Sequence, residues 1–144
     1  MDCGFVSCNL SLAKLNKATF RDAKFKDSKM LGLDFSTCNQ YGLSFSFENC
    51  LLNNCSFFQA VIKGTLFRDT KLQETDFAEC DLTNAIFDQC DLTGAIFDHT
   101  ILEKADFRTS WHYSINPATN RIKKARFSVS GISGLLDMYD IEIE

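Results

Sequence analysis

Large apolar residues recur every five positions through the centre of the chain: Phe57, Ile62, Phe67, Leu72, Phe77, Leu82, Phe87, Leu92, Phe97, Leu102 and Phe107. Two residues ahead of each stands a small side chain, from Cys55 and Ala60 to Thr100 and Ala105. A period of five fits neither a helix of 3.6 nor a strand of 2. The chain must turn a corner once per repeat and send one large and one small residue inward each time. Units of this kind bury little alone and build a continuous core only by stacking, which predicts a solenoid. Phe5, Leu10, Leu15, Phe20, Phe25, Met30 and Phe35 keep the same period, so the pattern covers nearly the whole chain.

The pentamers CDLTN (80–84), AIFDQ (85–89), CDLTG (90–94), AIFDH (95–99) and ADFRT (105–109) follow a common form: small, Asp or apolar, Leu or Phe, then two mostly polar residues. The sequence resembles the pentapeptide-repeat family. That resemblance implies an all-β fold, a right-handed quadrilateral β-helix with four repeats per coil. Six or seven coils at a strand spacing near 4.8 Å would make a rod of roughly 30 Å. Residues twenty apart would then stack. Phe57, Phe77 and Phe97 share one column and Phe67, Phe87, Phe107 and Phe127 another, with aliphatic columns between them. Phe is thereby set opposite Phe and Leu opposite Leu, which keeps the core volume constant from coil to coil.

The regularity breaks twice. Twenty steps from Phe35 reaches Cys55, not a large residue, so the frame slips by two somewhere in Ser36 to Leu51. Phe45 continues the early frame, whereas Phe47 and Leu52 belong to the later one. From Arg108 to Ala125 the pentamer pattern is lost, yet Ala125 and Phe127 resume it one coil after Ala105 and Phe107. This stretch holds the only Trp and the only Pro, and reads either as a degenerate coil with Ile122 at a core place or as a loop presenting Trp111 and Tyr113 to a partner. The organisation expected is a β-helix over 1–130, irregular at about 36–51 and 108–124, and a cap over 131–144. In the cap Leu135, Leu136 and Met138 or Tyr139 are spaced for a short capping helix. At the other end Phe5 is already a repeat centre, so the first coil is frayed, the sequence starts late, or that end meets another molecule, a second copy included.

Charge refines this picture. Residues 1–30 carry six basic and three acidic groups, 69–106 ten acidic and two basic, and 107–130 five basic and no acidic. Some pentapeptide-repeat proteins, the quinolone-resistance group, resemble double-stranded DNA to type II topoisomerases. The resemblance implies DNA gyrase or topoisomerase IV as partner, with a generic scaffold or adaptor as the alternative. On the face centred on Phe77 and Phe97 the candidate partner-binding residues are Asp76, Glu79 and Asp98, with Glu74 and Asp81 at its corners and Trp111 and Tyr113 as a second contact. Direct nucleic-acid binding is not expected, since only the basic patch at Arg121 to Arg126 favours it and no recognition module accompanies that patch.

The seven cysteines, Cys3, Cys8, Cys38, Cys50, Cys55, Cys80 and Cys90, all read as small inward residues, with no CxxC. No metal site, cofactor or catalytic residue is expected. His99 and His112 lack a neighbouring nucleophile motif, and a filled core leaves no pocket. No stretch is long or apolar enough for a membrane span, and residues 1–15 lack the layout of a signal peptide, so the expected address is the cytoplasm.

Overall fold

The computed structural model describes residues 3–144; Met1, Asp2 and the side chain of Cys3, one of the seven expected core thiols, lie outside the described residues. Five short strands, β1 (Cys3–Val6), β2 (Ala23–Lys26), β3 (Phe45–Glu48), β4 (Leu66–Arg68) and β5 (Ile86–Asp88), form one parallel sheet in the order β1-β2-β3-β4-β5. They are successive passes of the chain along the first face of a four-sided β-solenoid. The other three faces are ladders of single bridges: Asn9–Lys29–Leu51–Lys71–Asp91–Trp111 on the second, Asp34–Ser56–Asp76–Ile96 on the third and Val61–Asp81–Ile101–Arg121 on the fourth.

Inside, the columns stack as the period requires. On the first face Phe5, Phe25, Phe47, Phe67, Phe87, Phe107 and Phe127 lie ring over ring, with centroids 4.7 to 5.4 Å apart. Phe35, Phe57, Phe77 and Phe97 do the same on the third face. Rings of these opposed columns meet edge to face, as Phe77 does with Phe67 and Phe87 at 5.8 Å, so stacked and T-shaped pairings are both satisfied.

The corners need a backbone that bends outward, and the residue two after most centres is left-handed: Asn54, Gln59, Glu74, Glu79, Asn84 and Lys104 all have φ near +60°. Gly32, Gly64 and Gly94 occupy the same place without the Cβ penalty. Several inward polar atoms are satisfied by the coil below. The hydroxyls of Thr75, Thr100 and Ser110 and the thiols of Cys80 and Cys90 donate to the carbonyls of Leu52, Phe77, Phe87, Phe57 and Phe67 respectively. Five of the six described cysteines are buried, and Cys8 is half-buried. Desolvation pushes the Cys55, Cys80 and Cys90 thiols up to about 12.

The frame slip is located. Asn39 still keeps the twenty-residue register, its side chain donating to the Thr19 hydroxyl and its N–H to Ala18 O, whereas Phe47 pairs with Phe25 and Ser56 with Asp34, both twenty-two apart. The two extra residues therefore lie between Asn39 and Ser44, at one corner, where Tyr41 projects with 78% of its surface exposed. Phe47, not Phe45, holds the column place. Phe45 pairs with Ala23 at the small-residue position and turns its ring toward Phe20, Phe35 and Phe57. With Leu43 it fills the gap in the fourth column, which has no large residue between Phe20 and Ile62.

At the far end the expected short helix is realised as two successive 3-10 turns, Ile132–Leu135 and Asp137–Tyr139. Leu135 packs on the core, while Val129, Ile132 and Tyr139 stay exposed.

Candidate interaction surface

The third face carries most of the free acid. Asp76 lies in its ladder, half-buried, with one carboxylate oxygen accepting from the Ala78 N–H at 2.8 Å. Asp98, one coil on and two residues past the ladder position, is exposed and contacts only the ring of His99, at 3.0 Å. Glu79, at the next corner, is exposed and accepts a long bond from Gln59, and Glu74 is exposed at the preceding corner with its side chain beneath Gly94. These four carboxylates have no Lys or Arg within 4 Å among the described residues.

Asp81, expected at the corner of this face, belongs instead to the fourth-face ladder. It is half-buried, accepts from the Thr83 N–H and hydroxyl, and pairs with Lys63 at 3.6 Å. Its place just before the centre Leu82 makes it a turn-forming Asx residue, a role that the repeat pattern alone does not separate from a surface charge. The opposite, first face is neutralised. Asp88 pairs with Arg68 at 3.0 Å and Asp106 with Arg108 at 2.9 Å, and the Arg108 guanidinium holds the Asp106 carboxyl below its usual range.

The degenerate coil divides the two expected contact aromatics. Trp111 pairs with Asp91 in the second-face ladder and is 43% exposed. Tyr113 is not presented to solvent: it is 3% exposed, its ring 5.6 Å from those of Phe107 and Phe127. The reason is local. The register puts His112 where a Leu would stand and Pro117 where a Phe would stand, and neither fills the core. The chain shifts so that Tyr113 and Ile115 go inside, and Asn120 closes the coil by accepting from Thr100 N–H and donating to Phe97 O.

The cap is built around this ring. A Cβ at Gly131 would strike the Tyr113 hydroxyl, and one at Gly134 the Tyr113 carbonyl oxygen. Gly134 O in turn accepts from Ile115 N–H at 2.9 Å. Burial pushes the Tyr113 phenol up. The two glycines of the run GISG, Gly131 and Gly134, are thus the imprint of Tyr113 on the cap.

On the second face Asp91 is partly buried, which alone would raise its pKa. Bonds from Thr93 and Gln73 and the nearby His112 ring outweigh this and hold it below the usual carboxylate range. Among the described residues no group of three or more His, Cys, Asp and Glu is placed to hold a metal ion, and no helix is long and apolar enough to cross a membrane.

Comparison with known proteins places these features. The profile of a pentapeptide repeat region matches residues 1–77, and that of pentapeptide repeats in eight copies matches residues 75–110. No curated protein gives a significant match. Among solved structures, trypsin-treated QnrB1, a plasmid-mediated fluoroquinolone resistance protein, superposes with a TM-score of 0.55 at 18% identity, covering 98% of this chain and 68% of that one. The pentapeptide repeat protein Rfr23 from the cyanobacterium Cyanothece 51142 matches at 12% identity and TM-score 0.38, over 90% of this chain and 84% of that one. One from the Arabidopsis thaliana thylakoid lumen matches at 21% and 0.35, over 74% and 65%.

Proposed function

The chain belongs to the pentapeptide-repeat family, and on that premise we propose that it is a non-catalytic, cytoplasmic binding protein whose acidic third face stands in for a DNA backbone on a type II topoisomerase, DNA gyrase or topoisomerase IV. The observation that carries this reading is the asymmetry of charge between opposite faces. Arg68 and Arg108 neutralise the first face, while Asp76, Glu79, Asp98 and Glu74 have no basic partner on or beside the third. Of the ten carboxylates between Asp69 and Asp106, three pair with Lys63, Arg68 and Arg108. Seven remain over about two coils, roughly 10 Å of rod, four of them on or beside the third face; over that length B-DNA carries about six charges on both strands together. Likeness in fold to QnrB1, itself a fluoroquinolone resistance protein, supports the choice of enzyme to test.

The test is competition with DNA for gyrase. The wild-type protein displaces DNA, and does so less as salt is raised, because exposed charges are screened within about 8 Å at physiological ionic strength. The triple substitution Asp76→Asn, Glu79→Gln, Asp98→Asn abolishes the competition. It leaves the fold close to wild type, since only Asp76 makes a backbone bond and Asn can accept the same bond. Equal competition by the triple variant would remove the third face from the mechanism. The second reading, an adaptor for another protein, is favoured by the exposed Tyr41 at the insertion corner, set over Arg21 at 5.5 Å in a cation–π pair away from the acidic zone.

A further inference from the structure

Diagonally opposite corners of the solenoid carry opposite charge, each beside one exposed isoleucine. Between the fourth and first faces Asn84, Lys104 and Lys124 follow one another up the corner, all with φ near +60°. Beside them runs the first-face ladder Ile86–Asp106–Arg126, and the two columns enclose a groove of about 400 Å³. The Asp106 carboxylate is held by Arg108, so Lys104, Lys124 and Arg126 leave the groove basic. None of these three has a carboxylate within 4 Å among the described residues. Lys104 and Lys124 stand one coil apart, about 4.8 Å between backbones, where like charges repel. Half a coil on from Ile86, the corner between the second and third faces repeats the layout with the sign reversed. Glu74 and Gly94 take the corner, Asp76 and Ile96 the ladder, and Asp98 follows Ile96 on the same face. Ile86 is 43% exposed and Ile96 49%, and Gly94 puts no side chain beside the latter.

We propose that the rod binds a second copy of this chain side by side, Ile96 of one copy entering the groove at Ile86 of the next while Glu74, Asp76 and Asp98 meet Lys104, Lys124 and Arg126. An apolar centre inside a polar rim is the general build of a specific interface. The groove lining selects an apolar side chain ringed by carboxylates, which is what the corner at Ile96 displays. A phosphate backbone would match the charge and leave Ile86 uncovered. Both surfaces are built on the same coil spacing, so a match at one level recurs at the next. They lie on opposite sides of the rod, which makes the contact heterologous: a pair still offers one free surface of each sign, and copies add in a row or a ring rather than stopping at a symmetric dimer. Self-association covers Glu74, Asp76 and Asp98 and so competes with the topoisomerase contact proposed above, but does not depend on it.

Sedimentation velocity of the full chain, from micromolar to millimolar concentration, measures this. At low ionic strength the weight-average mass should climb past that of a dimer, and it should fall back at about 1 M salt, where charges are screened beyond about 3 Å. Lys104→Glu with Lys124→Glu should stop the growth, and so should Glu74→Lys with Asp98→Lys. Glu and Lys both occupy left-handed corners of the wild-type rod, Glu74 at φ +58° and Lys104 at +61°, and Asp98 is exposed, so these exchanges leave the fold intact. Each reversed surface complements the other, as the intact ones do, so mixing the two variants should restore growth. Ile96→Ser, which leaves every charge in place, should weaken association by about fivefold or more. A wild type of one mass throughout, growth unchanged in either charge variant, no recovery on mixing, or an affinity unaltered in Ile96→Ser would overturn the proposal. Retardation of duplex DNA that Lys104→Glu with Lys124→Glu abolishes, without growth of the protein alone, would give the groove to nucleic acid and overturn it too. Gyrase takes no part in the measurement, so failure of the topoisomerase reading leaves its result standing, and its own failure leaves the third face open to that reading.

Discussion

Replacing Phe87 by alanine removes a ring from the middle of the longest aromatic column. Phe87 is 1% exposed, stacked at 5.0 Å on Phe67 and 4.7 Å on Phe107, and meets Phe77 and Phe97 edge to face at 5.8 and 6.3 Å. Buried Phe to Ala changes cost about 3–5 kcal/mol, depending on how far the surroundings collapse into the space. Collapse is opposed here, because the spacing of the coils is set by the backbone ladder, Phe87 N–H to Asp106 O at 2.9 Å and Ile86 N–H to Thr65 O at 2.9 Å. The loss should therefore fall in the upper half of that range. Asp88→Ala, one residue on, breaks the pair with Arg68 and a bond from Thr109. Both are exposed, and the cost is expected at under about 1 kcal/mol. Phe127→Ala, at the half-buried end of the same column and stacked on one neighbour only, should fall between the two. Urea unfolding followed by circular dichroism measures all three at matched slope. Equal losses at Phe87 and Asp88 would refute the five-residue register and the columns built on it.

Three other consequences are open to measurement. A thiol reagent at pH 8 should label Cys8 readily and leave Cys55, Cys80 and Cys90 unlabelled until denaturant is added; rapid native labelling of Cys80 or Cys90 would place them outside the core. Because these three thiols sit near 12 in the folded state against 9.0 ordinarily, the stability they confer is full below about pH 9 and is lost as pH rises toward 12, by about 1.4 kcal/mol per pH unit for each thiol; a variant with all three changed to alanine should show a flatter alkaline limb. Gly134→Ala should detach the cap from Tyr113, seen as faster amide exchange at Ile115, whose N–H bonds to Gly134 O, with the regular coils still protected; unchanged exchange would mean that the close approach at Gly134 does not hold the cap.

The regular part of the rod was legible because each pentamer repeats one decision, and Phe77, Leu82 and Phe87 have no alternative place to go. Where a repeat lacks its large residue, the sequence names the vacancy but not the substitute. Tyr113 lies one position from the pattern and Ile115 holds the inward place of a small residue, and only the three-dimensional gap left by His112 and Pro117 shows that they fill it. Phe45 is a similar case: its burial depends on the missing large residue of the fourth column. The same limit applies to the acidic surface. Asp76 and Asp81 both stand just before a repeat centre and Asp98 just after one, yet Asp81 is tied to Thr83 and Lys63 while Asp98 meets only the His99 ring, because pairing depends on which residue lies twenty positions away or across a corner.

The most direct test of the acidic face as a DNA substitute is gyrase supercoiling with and without a quinolone, at micromolar concentrations of the wild-type protein and of the Asp76→Asn, Glu79→Gln, Asp98→Asn variant. The wild type should inhibit supercoiling or protect it from the drug, with the effect fading as salt is raised, and the variant should do neither while unfolding at the wild-type urea concentration. No effect of the wild type on supercoiling or on drug inhibition, at any salt concentration where gyrase is active, would contradict the DNA-mimic reading and leave the adaptor reading in its place.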